Sequence, residues 1–284
     1  MAGQDSQKIA LTAHYTAHVW KRLALPHAEL YATATGATLY WGFFALGEWT
    51  TRVLPDVPSM RTYLAYRHLL IDAIVEELAP DRIVELGAGL SRRATTWVLD
   101  GGIDGVEIDL PEMIAAKRAA IDRAPAEIRE RLTARLRLVA DDVLDPGFAG
   151  RLRALVAGAR RPVVVAEGLA SYFDGAGRRR LFGAVGEAIA GTAGAFVCDL
   201  HTRVNQARVG RSAALLRLAI GALTRRRRAL DPYEDEHEVT AALRDAGFSS
   251  ITIATPDAHV TRRPALRRLH SPAIVIIARA PVEE

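Results

Sequence analysis

Apolar positions along this chain follow two rhythms. Over 59–78, Leu64, Leu69, Leu70, Ile74 and Leu78 recur at the three-and-four spacing of an amphipathic helix, which Pro80 ends. From Arg82 onward the rhythm becomes short apolar runs alternating with helical stretches. A buried strand is expected over 82–86, then a glycine turn and a helix over 92–99. A second strand over 105–109 leads into a helix over 111–124, opened by Pro111 in its first turn. Further strands are expected over 136–140, 162–166 and 195–200, with helices between them. Such alternation predicts a parallel sheet with helices on both faces. The tail breaks the pattern. After a helix over 236–246 and a stop at Gly247, strands over 251–254 and 273–278 are joined by a polar loop without a helix. That pair predicts an antiparallel hairpin closing the sheet.

Residues 1–60 read differently, as an irregular helical cap with no clear strand. They hold Trp20, Trp41 and Trp49 and the histidines His14, His18 and His27. The apolar, aromatic stretch 38–45 reads as a buried or pocket-lining helix. An insertion is expected over about 202–235, leaving 61–284 as the main domain.

Half the 284 residues are hydrophobic and a quarter charged, enough for a large core. No apolar run reaches the roughly 18–20 residues of a membrane span, and the start lacks a secretory layout. A lone cysteine, Cys198, excludes an intrachain disulfide and a cysteine-built zinc site, and suits a reducing cytoplasm. The net charge of +4 is carried mainly by arginine, with lysine only at 8, 21 and 117. The run 225–228 reads as a solvated helix end or loop, so nucleic acid is not expected as a partner.

Four segments carry candidate chemistry. The first is Ile83-Val84-Glu85-Leu86-Gly87-Ala88-Gly89, where glycines let backbone approach a ligand closely. Arg92 stands where a dinucleotide fingerprint wants its third glycine, which argues against a pyrophosphate. The second is Val106-Glu107-Ile108-Asp109-Leu110, whose Asp109 lies about 20 residues past the glycines and can accept ribose hydroxyls. The third is Asp141-Asp142-Val143, where an acidic side chain and the next backbone N–H can read an adenine. The fourth is Val164-Val165-Ala166-Glu167-Gly168, ending in a carboxylate that needs a cationic partner. The ammonium of a bound S-adenosyl-L-methionine would serve.

In this order and spacing, "ELGAGL", "EIDLPE", "DDVLDP" and "AEGLASYF" resemble the leucine carboxyl methyltransferase-like family, especially its bacterial polyketide-type O-methyltransferase branch. The resemblance implies a doubly wound seven-stranded class I methyltransferase (Rossmann-like) α/β sheet with a helical N-terminal cap, and S-adenosyl-L-methionine as cofactor. It implies Glu85, Gly87 and Gly89 at the methionine backbone, Asp109 and Leu110 at the ribose, and Asp142 with Val143 at the adenine. It further places Glu167 near the ammonium and Arg67 against the cofactor carboxylate, with Arg61 as rival. Ser91-Arg92-Arg93 replaces the family's usual Asp-Thr-Arg.

For catalysis, His14 and His18 share a helix face, and one of them as general base suits a phenolic proton. No acidic pair accompanies them, so no metal is expected. Tyr172 is a candidate for orienting the acceptor, Tyr40, Trp41, Phe43 and Phe44 for walling a flat one, and Asp199 with His201 for facing the cleft. The expected reaction is methyl transfer to a carboxylate or phenolic oxygen of a small, polyketide-like acceptor, with oligomerisation left open. The alternatives are methylation of a protein C-terminal carboxylate, or non-catalytic binding of the cofactor.

Overall fold

A computed structural model describes residues 2–45, 59–208, 232–269 and 271–282. Its sheet has seven strands: β1 Arg82–Leu86, β2 Asp104–Asp109, β3 Leu136–Ala140, β4 Pro162–Ala166, β5 Ala195–His201, β6 Ser250–Ala254 and β7 Ala273–Arg279. Their order is β3-β2-β1-β4-β5-β7-β6. The first five run parallel, and β7 lies antiparallel to both β5 and β6. Strand order reverses direction between β1 and β4, and an open α/β sheet binds ligands in the crevice outside the carboxyl ends at that point.

The apolar runs of these strands divide between two cores because successive side chains face opposite ways. Val84, Leu86, Val164, Phe196 and Ile276 pack toward helices α7 Phe148–Val156, α8 Gly175–Ile189 and α10 Glu236–Asp245. Phe196, wholly buried between Phe182 and Phe248, anchors this layer at centroid distances of 6.0 and 5.9 Å. Loss of such a ring costs about 3–5 kcal/mol. Ile83, Val163, Val165 and Val197 face the opposite layer, which holds α3 Met60–Leu78, α4 Arg93–Leu99, α5 Pro111–Asp122 and α6 Ala126–Arg135. The Ser59 hydroxyl caps α3 by accepting from Thr62 N, and a left-handed Ala79 ahead of Pro80 ends it.

The N-terminal part is α1 Ala2–Arg22, a short 3-10 turn Ala28–Tyr31 and α2 Ala34–Ala45. Helices α1 and α2 cross at Gly36, where a Cβ would collide with the His14 carbonyl oxygen. Helix α2 is less enclosed than its composition suggests. Only Gly36 and Tyr40 are buried, while Trp41 is 51% exposed, edge-on to Phe44 and beneath Arg22. With no charged residue, this helix carries no strong polar stripe to mark its outer face. A short helix α9, Arg203–Arg208, follows β5. Most of the expected insertion, with the run 225–228, lies outside the described residues, as does Trp49.

Candidate functional site

The turn after β1 places Gly87 and Gly89 at φ +62° and +52°. Gly87 N and Ala88 N donate to Ile108 O of β2 at 2.8 and 3.3 Å, tying the turn to the neighbouring strand end. Asp109 completes the tie, since Oδ2 accepts from Gly89 N at 2.6 Å and Oδ1 from Leu110 N at 2.7 Å. Burial raises its carboxyl despite these two N–H groups. A Cβ at Gly89 would stand 3.1 Å from Ala13 Cβ of α1, and one at Gly87 would stand 2.8 Å from the Leu169 side chain. The glycine turn is therefore walled by α1 and by the loop after β4.

Glu85 turns away from the crevice toward α4. Its oxygens accept from Ser91 Oγ, Arg93 Nη1 and Ala94 N at 3.0, 2.9 and 3.0 Å. Ser91 fixes the same turn by accepting from Arg93 N at 3.1 Å.

Behind the turn lies a buried cluster of charges. Arg93 is at its centre, donating to Asp72 Oδ1 at 2.7 Å, Glu85 Oε1 at 2.9 Å and Glu167 Oε2 at 2.6 Å. Arg92, also buried, donates to the second oxygen of Asp72 and to Thr96. Glu167 finds cationic partners within the chain. It takes hydrogen bonds from Arg67 Nε at 3.1 Å, His68 Nδ1 at 2.7 Å and Arg93 Nη2. Burial would raise this carboxyl, yet His68, Arg93 and Arg67 hold it well below the usual carboxylate range. Burial pushes His68 down to about 4, and Trp20 stacks on its ring at 4.0 Å. His68 carries no sequence signal beyond being an ionisable residue within an apolar helix, whereas Arg93 keeps the arginine of the family's Asp-Thr-Arg.

Arg67 is the arginine of α3 that reaches the ends of β4 and β5. Its guanidinium lies over Gly168 (φ +70°), where a Cβ would meet Nη2 at 2.9 Å, and it also pairs with Asp199 Oδ2 at 3.5 Å. Asp199, fully buried, accepts from Gly168 N at 2.5 Å through its other oxygen. Past β3, Asp142 is exposed, and its Oδ1 accepts from Leu144 N at 2.9 Å. The Val143 side chain sits in the core. The neighbouring Asp141 grips Arg151 with both oxygens, at 2.7 and 2.8 Å.

At the rim, Tyr63 of α3 and His201 of β5 meet, with Oη 2.9 Å from Nε2. Ser171 Oγ lies 3.4 Å from His201 Nδ1, and Tyr172 is half-buried beside it in the sequence. His14 and His18 lie on α1 and contact α2 and the residue before it. His14 Nδ1 meets Thr33 Oγ1 at 2.9 Å, and the His18 ring packs 5.1 Å from Tyr40 of α2.

The family model for leucine carboxyl methyltransferase matches residues 28–186. That is more than half the chain, from the 3-10 turn into α8. The chain belongs to the leucine carboxyl methyltransferase family. No curated protein matches it. Among solved structures, an O-methyltransferase family protein from Burkholderia thailandensis is 16% identical over 78% of this chain and 58% of its own, with TM-score 0.52. The S-adenosylmethionine-dependent methyltransferase SibL is 15% identical over 88% and 60%, with TM-score 0.52. Human N-acetylserotonin methyltransferase, solved with its SAM, is 12% identical over 77% and 52%, with TM-score 0.50. The chain spans only about half to three fifths of these proteins' lengths. At such identities the likeness is one of fold, and it gives this family member the class I methyltransferase sheet. Among the described residues, no helix is long and apolar enough to cross a membrane.

Proposed function

We propose that this family member is an S-adenosyl-L-methionine-dependent O-methyltransferase acting on a small, polyketide-like acceptor. One observation carries the reading: within a leucine carboxyl methyltransferase family match, a strand-end carboxylate is clamped to a left-handed glycine turn beside the sheet's switch point. That is the position for a ribose between the ends of β1 and β2. The donor set suits the cofactor. Asp109 would take the ribose hydroxyls, and Asp142 with the Val143 backbone would read the adenine. Gly87 and Gly89 allow the methionine backbone close approach. Arg67, already set between two carboxylates, offers a carboxylate ligand a fork-shaped donor. When bound, the cofactor supplies a sulfonium methyl that an oxygen attacks in line, the C–S bonding pair leaving on sulfur.

A small acceptor is favoured because α1 covers the glycine turn at Ala13, which restricts room for a folded protein surface. Titration calorimetry with S-adenosylhomocysteine tests the reading. Binding is expected in the wild type, and Asp109→Ala should weaken it by roughly 1.5–3 kcal/mol. No heat with S-adenosylhomocysteine would refute the assignment.

A further inference from the structure

The rim of the crevice holds a polar group that cofactor binding leaves unused. Tyr63, His201 and Ser171 converge there from α3, β5 and the turn after β4, each half-buried while the strand residues around them are fully buried. Arg67 Nη1 donates to the Tyr63 oxygen at 3.3 Å, so the single hydroxyl hydrogen of Tyr63 is left for His201 Nε2 at 2.9 Å. That arrangement makes Nε2 an acceptor and puts the imidazole hydrogen on Nδ1, facing Ser171 Oγ.

We propose that Tyr63, backed by His201, is the proton acceptor for a hydroxyl-bearing substrate, so that the acceptor class is a phenol or similar acidic hydroxyl and not a carboxylate. This rests on the methyltransferase reading above. In the step, the acceptor O–H breaks and its proton passes to Tyr63 Oη while the proton of Tyr63 passes to His201 Nε2. The acceptor oxygen keeps the electron pair that bonds the incoming methyl carbon. The positive charge brought by the sulfonium ends on the imidazolium, which Asp199 of the same strand steadies.

The surroundings fit the role. Burial lowers the His201 pKa against the pull of Asp199, and Arg67 lowers it further, which favours the unprotonated ring that can accept. Burial raises the Tyr63 hydroxyl, so it holds its proton until a base takes it, while Arg67 faces the oxygen to steady negative charge. The groups facing this pair are Asp199 from β5, Arg67 from α3, and Ser171 with Tyr172 from the turn. A carboxylate acceptor, already ionised, would have no use for such a pair.

The test uses para-nitrophenol, a coloured phenol that ionises near neutrality, added to the full chain saturated with S-adenosylhomocysteine. Phenolate absorbance is followed against pH for wild type, His201→Gln and Tyr63→Phe. The wild type is expected to raise the phenolate-to-phenol ratio about tenfold over free dye, because the phenolate and the imidazolium formed on His201 stabilise each other as an ion pair in the half-buried rim. Both variants should lose that effect while binding S-adenosylhomocysteine within about twofold of wild type. An equal rise in wild type and His201→Gln, or no rise in wild type, overturns the proposal and leaves the methyltransferase reading standing. Failure of wild type to bind S-adenosylhomocysteine overturns both. If His201→Gln does not fold, Tyr63→Phe decides, since it removes one oxygen and keeps the ring.

Discussion

Arg93 and Glu167 stand 74 residues apart in sequence and 2.6 Å apart in space. The same guanidinium also holds Asp72 and Glu85, so one buried cation links α3, β1, α4 and the end of β4.

Removing that cation would leave three carboxylates short of a partner. Arg93→Ala should lower unfolding free energy by about 3–5 kcal/mol, the range for breaking a buried ion pair from one side. Arg93→Lys should recover only part, because an ammonium cannot face three carboxylates in a fork. Urea unfolding followed by circular dichroism checks both. A loss under about 1 kcal/mol in Arg93→Ala would show the cluster to be dispensable.

His68 gives stability a pH dependence whose direction follows from its burial. In the fold its pKa is about 4, and unfolded it returns to about 6.5. Between those values the unfolded chain binds a proton that the folded chain refuses. Stability therefore falls as pH drops through that window and levels off below about 4, by up to on the order of 3 kcal/mol. Glu167, held well below the ordinary carboxylate range, adds its own loss only as pH falls beneath that range. Urea midpoints measured from pH 7 to 4.5 should decline in wild type and decline less in His68→Gln. Parallel curves would remove His68 from the linkage.

Gly89 answers to two demands at once, a left-handed backbone and the closeness of α1. Gly89→Ala should lower the melting temperature with no ligand present, by the equivalent of about 1–3 kcal/mol. Pairing it with Ala13→Gly restores the space and leaves the φ strain, so the double variant should regain part of the loss. A Gly89→Ala protein as stable as wild type would show that α1 does not press on this turn.

Much of the fold was legible because buried parallel strands read as unbroken apolar runs and glycine or proline punctuates them. Strands over 82–86, 136–140 and 162–166 have the limits expected, and the late antiparallel pair is present. That Asp109 ends the strand beside the glycines was legible, its spacing from them being local to one β-α-β unit, but its hold on Gly89 N and Leu110 N was not. The rest of what could not be read is long-range. Glu167 looked unpaired because its cations arrive from α3 and α4, and Tyr63 meets His201 across 138 residues. Apolar composition over 38–45 suggested burial, yet it gave no face by which Trp41 could be told from Tyr40.

The interior position of β7 sets an order of events as the chain is made. A nascent polypeptide that has emerged only as far as β6 has β5 with one edge open and β6 with no seat, because β7 alone joins them. The pairing of Phe196 with Ala278 closes a loop of some eighty residues, a slow and non-local step. Until then an apolar strand edge faces solvent, ready to pair with another chain. A stop codon ahead of Ala273 would thus yield more than a shortened protein. It would leave the five parallel strands as a template for aggregation, and rapid removal by proteases is the fate expected of such a chain.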